Sequence, residues 1–157
     1  MNADSSLKIT TKDVAPTRFA AHGIVEIFFE NDILFYECFG PFNKELVDAM
    51  AVAQMEFLQT TDRDAGPWGS ICLMRGSALA SPDAMVRYSE MMHASKPPQF
   101  TPVATAFSVA PEVEGGSLMM PLYADIYASI ARPFKSFDAL DDARRWVQSM
   151  IDAEKTR

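Results

Sequence analysis

The chain has 157 residues, a length that predicts one domain with its own hydrophobic core. Its 14 Lys and Arg against 21 Asp and Glu give a formal charge of -7, which opposes a phosphate backbone and argues against nucleic acid as a partner. No stretch approaches the ~20 apolar residues that a membrane span needs, and the polar first residues lack the apolar core of a signal peptide. We therefore expect a cytoplasmic protein without a membrane span.

The sequence divides into a polar lead-in, residues 1–18, and a single α/β domain, residues 19–157. The lead-in carries Ser, Thr, Asp and one Pro, with little apolar periodicity beyond Leu7 and Ile9. Such a segment contributes few groups to a core, so we expect it to be poorly ordered.

Two runs rich in β-branched and aromatic residues open the domain. They cover residues 24–29 and 33–39 and flank a polar turn at residues 30–32, a pattern typical of a β-hairpin. A helix pattern follows from Asn43, a good N-cap, to about Asp62. The same strand-then-helix step recurs at residues 68–94, 101–131 and 132–154. The sequence therefore predicts an α/β fold, a mixed sheet with an N-terminal β-hairpin and about four helices packed on it.

Capping and proline patterns predict several boundaries. Ser81 followed by Pro and Asp is typical of a helix start, because Ser accepts from the first turn and Pro loses no intrahelical hydrogen bond there. Pro133 restricts residues 132–137 to a short edge strand. Asp138 then predicts the N-cap of a last helix that turns Trp146 inward.

The third helix pattern has an unusual composition. Its apolar residues spread over more of the circumference than one core-facing stripe requires, so we expect something besides the sheet to cover it. They are Leu118, Met119, Met120, Leu122, Tyr123, Ile126, Tyr127 and Ile130.

The sequence contains no pattern that commits it to catalysis, a metal or a cofactor. Nucleophile-elbow, dinucleotide-binding and P-loop motifs are absent, so we expect no enzymatic activity and no cofactor. His22 and His93 have no second ligand three or four residues away, which argues against a metal site. Cys38 and Cys72 lie among apolar residues of predicted strands, where we expect buried, reduced thiols.

Two features favour a ligand site. Arg75 and Ser77 follow a predicted strand, and ligands of open α/β sheets bind beyond the carboxyl ends of strands, with a solvated loop arginine as the competing interpretation of Arg75. Ten methionines and several aromatic residues suit a deformable apolar cavity, with ordinary core packing as the competing interpretation. The candidate ligand-binding residues are Phe39, Phe42, Arg75, Ser77, Met119, Leu122, Tyr123, Ile126 and Tyr127.

Over residues 23–151 the chain resembles the SpoIIAA-like branch of the STAS-like family. The resemblance is strongest at residues 105–111, similar to that family's fourth strand, and at residues 133–147, similar to its closing strand and helix. It implies a mixed sheet wound with helices, no catalysis, and either partner switching or binding of a lipid-like molecule. Regulatory members are phosphorylated in an Asp-Ser-x-Gly turn. Residues 74–83 offer Ser77 and Ser81 at that place but lack the pattern.

Two functions follow as hypotheses. The first is a non-enzymatic domain that binds a hydrophobic or amphipathic, lipid-like small molecule. The alternative is a STAS-type protein–protein signalling module that acts through the apolar face of residues 118–130, as a homodimer or with a signalling partner. An enzyme comes third, since no matched acid, base or nucleophile is present.

Overall fold

A computed structural model describes residues 7–14, 20–60 and 66–157 and shows a six-stranded mixed sheet with four α-helices. The strands are β1 (Ile9–Thr10), β2 (Ile24–Glu30), β3 (Ile33–Phe39), β4 (Gly69–Arg75), β5 (Thr105–Val109) and β6 (Phe134–Phe137). The helices are α1 (Lys44–Thr60), α2 (Pro82–His93), α3 (Gly116–Ser129) and α4 (Leu140–Lys155), with 3-10 turns at Thr11–Asp13 and Pro98–Phe100. The predicted α/β fold with a mixed sheet, an N-terminal hairpin and four helices is confirmed. No helix in the described ranges has the length and apolarity to cross a bilayer.

The strands lie side by side in the order in which the chain visits them. The β1–β2 and β2–β3 pairs are antiparallel, and the pairs from β3 to β6 are parallel. Helices α1, α2 and α3 make the three parallel crossovers. Because such crossovers share one hand, these helices lie on one face of the sheet, and α4 packs on the other.

Side chains along β3 alternate between the two faces of the sheet. Leu34, Tyr36 and Cys38 belong to the core under α1, α2 and α3, while Ile33 and Phe35 belong to the core under α4. Three apolar residues of α4 are fully buried in that second core, namely Ala143, Val147 and Ile151. Leu140 and Trp146 of the same helix pack against it and are partly buried.

Close packing of α4 on the sheet explains Gly69 in β4. A Cβ atom there would lie 2.4 Å from Val147 Cγ1, far inside van der Waals contact. Trp146, predicted to face inward, is only partly buried and packs on Phe137, with 6.0 Å between the ring centroids.

Part of the expected poorly ordered lead-in forms structure. Ile9 and Thr10 pair with Ile27 and Glu26 of β2, and the buried Thr11 Oγ1 accepts a hydrogen bond from Val25 N–H at 3.1 Å. A strand of two residues is too short to show a hydrophobic period, so the sequence pattern does not predict it. Residues 1–6 and 15–18 of the lead-in lie outside the described residues.

Two predicted helix caps are confirmed and one is wrong. Asn43 Oδ1 accepts from Leu46 N–H at 2.9 Å, and Ser81 Oγ accepts from Ala84 N–H at 3.3 Å. Asp138 does not cap α4, because that helix begins one residue later, with Ala139 at the N-cap and no side-chain hydrogen bond. The predicted edge strand after Pro133 is confirmed as β6.

Candidate ligand-binding site

An apolar cavity of about 40 Å³ lies between the sheet and the helices α1, α2 and α3; we call it the inner cavity. Its sheet side includes the thiols of Cys38 and Cys72 and the thioether of Met74, and Met50 and Met85 face it from α1 and α2. One ordered water needs roughly 10–15 Å³, so the space exceeds one water, but its lining offers few polar partners to hold water. The inner cavity is therefore suited to an apolar group.

A second cavity of about 30 Å³, the outer cavity, lies on the same face nearer the amino ends of the parallel strands. Trp68, Pro102 and Arg132 line it, and each precedes one of the strands β4, β5 and β6. The two cavities share three lining side chains, Met50, Cys72 and Tyr88. Met50 has an unbranched, flexible side chain, so its rotation is a simple way to connect the two spaces.

The outer cavity is the more polar of the two because Tyr36 faces it from β3. Only 8% of Tyr36 is exposed, and its hydroxyl has no hydrogen-bond partner among the described residues. Burial raises the pKa of this phenol, the Cys72 thiol raises it further, and the nearby Arg132 charge acts in the opposite direction. Tyr36 is thus a neutral hydroxyl free to bond a ligand.

Two cations, Lys96 and Arg132, complete the outer cavity. Both are half-buried, and neither has a carboxylate partner in the part of the chain that the structure describes. Burial lowers the pKa of Lys96, and the like charge of Arg132 lowers it further. The Arg132 guanidinium also lies 5.9 Å from the ring centre of Tyr127. The site therefore holds two unneutralised positive charges.

An open groove of about 550 Å³ connects the outer cavity with the surface. Met92, Lys96, Pro102 and Arg132 line both spaces, so the groove adjoins the outer cavity. No Asp or Glu is among the described residues that line either of them. His93 closes one side of the groove, where its Nε2 lies 3.1 Å from Ser129 Oγ and ties the end of α2 to α3.

Three more tyrosines, from α2 and α3, line the cavities. The hydroxyls of Tyr88 and Tyr127 are hydrogen-bonded to each other, and the Tyr123 hydroxyl donates to the Ala78 carbonyl at 3.3 Å. Burial is the largest cause that raises the pKa of each of these phenols. Their neutral, hydrogen-bonded phenol groups therefore form part of the lining of the site.

Three of the candidate residues named from the sequence line these cavities. Phe42 and Tyr123 line the inner cavity, and Tyr127 lines the outer one. Met119 is buried but lines neither cavity, and Ile126 is partly buried against the same core. Their predicted role in ligand binding stays a prediction.

The outward face of α3 carries the rest of its apolar excess. Leu118 is 67% exposed and Leu122 46% exposed, one helical turn apart. The helix thus contributes one stripe to the core and leaves a second apolar stripe at the surface. That α3 forms a protein–protein contact or a homodimer through this stripe stays a prediction.

The candidates at the carboxyl ends of the strands lie apart from both cavities. Phe39 is 36% exposed at the end of β3, and the Arg75 guanidinium pairs with Glu37 at 2.6 Å. Ser77 is buried, and its Oγ accepts from Leu79 N–H at 3.2 Å. The loops there continue the ladder, since Ala78 N–H donates to the Glu114 carbonyl at 2.8 Å. The backbone groups in this pairing are already hydrogen-bonded to each other, so they do not offer a ligand the free N–H groups of an open binding loop.

The two phosphorylation candidates differ in access. Ser77 is buried, whereas Ser81 is partly exposed and both caps α2 and donates to Asp83 Oδ1 at 2.5 Å. The pKa of Asp83 is lowered, first of all by this hydrogen bond. Capping thus accounts for the position of Ser81.

Tyr36, Lys96 and Arg132 are not among the site residues predicted from the sequence. Tyr36 is one of several aromatic residues in a strand, and basic residues after helices are usual partners of the helix dipole. The signal that was available is that Lys96 and Arg132 each follow a helix and precede a Pro and a strand. Adjacent parallel strands bring such positions to one edge of the sheet.

The described residues contain no cluster of three or more His, Cys, Asp or Glu side chains that would bind a metal ion. Cys38 and Cys72 are buried, free thiols. Comparison of the chain with protein-family models, with curated proteins and with solved structures gives no significant match.

Proposed function

We propose that the protein binds a small amphipathic molecule, without reacting with it, between the sheet and helices α1, α2 and α3. The observation that carries this proposal is the succession of the inner cavity, the outer cavity and the groove along one face of the sheet, in which each space shares lining side chains with the next. Polarity increases from the apolar inner end to the groove. An amphipathic molecule matches that gradient.

The flexibility of the lining supports entry of a molecule larger than the cavities as they stand. Volumes of about 40 and 30 Å³ are below the 150 Å³ or so of an engineered cavity that binds benzene. Five methionines line the two spaces, and their unbranched side chains adopt several rotamers at low cost. They are Met50, Met74, Met85, Met91 and Met92.

We also propose that the chain has the fold of the STAS-like family. Its support is the element order, a hairpin followed by three helical crossovers and a closing strand and helix. The binding proposal rests on the cavities rather than on this resemblance.

Replacement of Met50 tests the proposal because this side chain lies between the two cavities. We expect Met50→Ala to join them and to increase affinity for the neutral probe 1-octanol about fivefold, through the apolar area that the probe then buries. Calorimetric titration of wild type and variant measures the change. The variant also loses about 2–5 kcal/mol of stability, which a denaturant titration monitors.

Met119→Ala is the matched control. It removes the same atoms from a residue that is 3% exposed but lines neither cavity, so 1-octanol affinity should stay within about twofold. A wild type and a Met50→Ala variant that both fail to bind 1-octanol would contradict the proposed function.

A further inference from the structure

We infer that the ligand carries an anionic group, a carboxylate or a phosphate, which Lys96, Arg132 and Tyr36 bind at the outer cavity while its apolar part enters the inner cavity. This inference rests on the proposed function and specifies its ligand class. It assigns a role to the polar ends of three side chains. Each of them brings a hydrogen-bond donor to the same space.

The distribution of charge in the chain makes this site exceptional. The whole sequence has a formal charge of -7, yet the described lining of the outer cavity and of the groove includes Lys96 and Arg132 and no carboxylate. Elsewhere in the described ranges most basic side chains are paired, as Arg75 is with Glu37 and Arg144 with Glu30. Two neighbouring cations that have no carboxylate partner among the described residues favour an anion from outside the chain.

The cost of keeping these cations together supports the same conclusion. Lys96 is partly buried, and both that burial and the neighbouring Arg132 lower its pKa. Two like charges repel, and the partial burial of both side chains reduces the screening of that repulsion by water. An anion between the two side chains offsets this repulsion, since each cation is then attracted to a negative charge.

The Tyr36 hydroxyl is the second, independent observation. More than nine-tenths of this residue is buried, it lines the outer cavity, and no hydrogen bond of its hydroxyl occurs within the described ranges. No fully buried side-chain N or O atom of the described residues lacks a partner, so the Tyr36 hydroxyl is open to the cavity and can donate to an acceptor there. A carboxylate or phosphate oxygen is an acceptor that Tyr36, Lys96 and Arg132 would all share.

The direction of the apolar part follows from the arrangement of the cavities. The groove is open, the outer cavity holds the cations, and the inner cavity lies beyond Met50 and Tyr88. An anion held at Lys96 and Arg132 therefore leaves its apolar chain pointing along the sheet into the inner cavity. The class of ligand is an amphipathic monoanion or dianion with a short or flexible apolar chain.

Three probes with the same eight-carbon chain test this inference: octanoate, octyl phosphate and neutral 1-octanol. Trp68 lines the outer cavity, and the chain has 2 tryptophans, so Trp68 fluorescence in a Trp146→Phe background reports on that cavity alone. We expect one or both anions to bind at least about tenfold more tightly than 1-octanol. The stronger of the two anions identifies the carboxylate or the phosphate as the natural group.

The variant Lys96→Met/Arg132→Met should lose this preference, with anion affinity falling about tenfold or more and 1-octanol affinity unchanged within about twofold. Tyr36→Phe should weaken the anions about threefold to tenfold for loss of one hydrogen bond. Lys135→Met is the matched control. It removes an exposed cation that lies 5.8 Å from the Trp146 ring, on the α4 side of the sheet, and should leave all three affinities unchanged.

The outcomes separate the two proposals. Equal affinity for 1-octanol and both anions, unaltered by Lys96→Met/Arg132→Met, overturns the anionic ligand and leaves the apolar site in place. Absence of binding by all three probes overturns the proposed function and this inference together. A loss of anion binding in Lys135→Met equal to that in the double variant would show a general charge effect and would also contradict the inference.

Discussion

At the scale of single residues, the four tyrosines connect the core with the candidate site. All 4 tyrosines of the chain are buried, and burial raises the pKa of every one. Three of them satisfy their hydroxyls inside the protein, and Tyr36 has no such hydrogen bond within the described ranges. One aromatic residue type thus serves as core packing on α2 and α3 and lines the outer cavity from β3.

These raised pKa values predict how stability depends on pH. Below about pH 10 the phenols are neutral in both the folded and the unfolded chain, so they leave stability unchanged. Above about pH 10 the unfolded chain loses phenolic protons while the folded chain keeps them, so stability falls as pH rises. We expect tyrosinate absorbance at 295 nm to appear only together with unfolding, as followed by circular dichroism. A tyrosine that titrates near pH 10 in the folded protein would contradict this burial.

At the scale of elements, β1 is the part of the fold that the sequence does not predict. The longer elements follow from hydrophobic periodicity and caps, as for the hairpin of β2 and β3 and the start of α2 at Ser81. The strand β1 has two residues, and its stability comes from backbone pairing and from Thr11, which bonds Val25 N–H. Neither contribution leaves a periodic pattern in the sequence.

Removal of β1 tests its contribution. We expect a chain that begins at Thr17 to fold, but with a melting temperature lower by about 3–8 °C, from loss of the β1 ladder and the buried Thr11 hydrogen bond. Thr11→Val in the full chain isolates that hydrogen bond and should cost about 1–2 kcal/mol in a denaturant titration. An unchanged melting temperature for the shortened chain would show that β1 adds nothing to stability.

At the scale of the whole molecule, the sheet separates a structural face from a face with free space. The α4 face is closed by small apolar side chains, and Gly69 lets that helix approach β4 closely. The opposite face is covered by three helices whose methionines and tyrosines leave two cavities. The methionine content of the sequence suits such a space and equally ordinary core packing, and it does not decide between them. The polar end of the site was not predicted, because Tyr36, Lys96 and Arg132 are brought together only by the register of the sheet and the crossovers.

Methionine methyl signals report whether an amphipathic anion occupies the cavities under α1, α2 and α3. In protein labelled with ¹³C at the methionine methyl groups, octanoate or octyl phosphate should shift the signals of Met50, Met74 and Met85, which line the inner cavity. Met150 on α4 lies on the other side of the sheet and should be unaffected. Saturating anion that leaves the Met50, Met74 and Met85 signals in place would contradict the account.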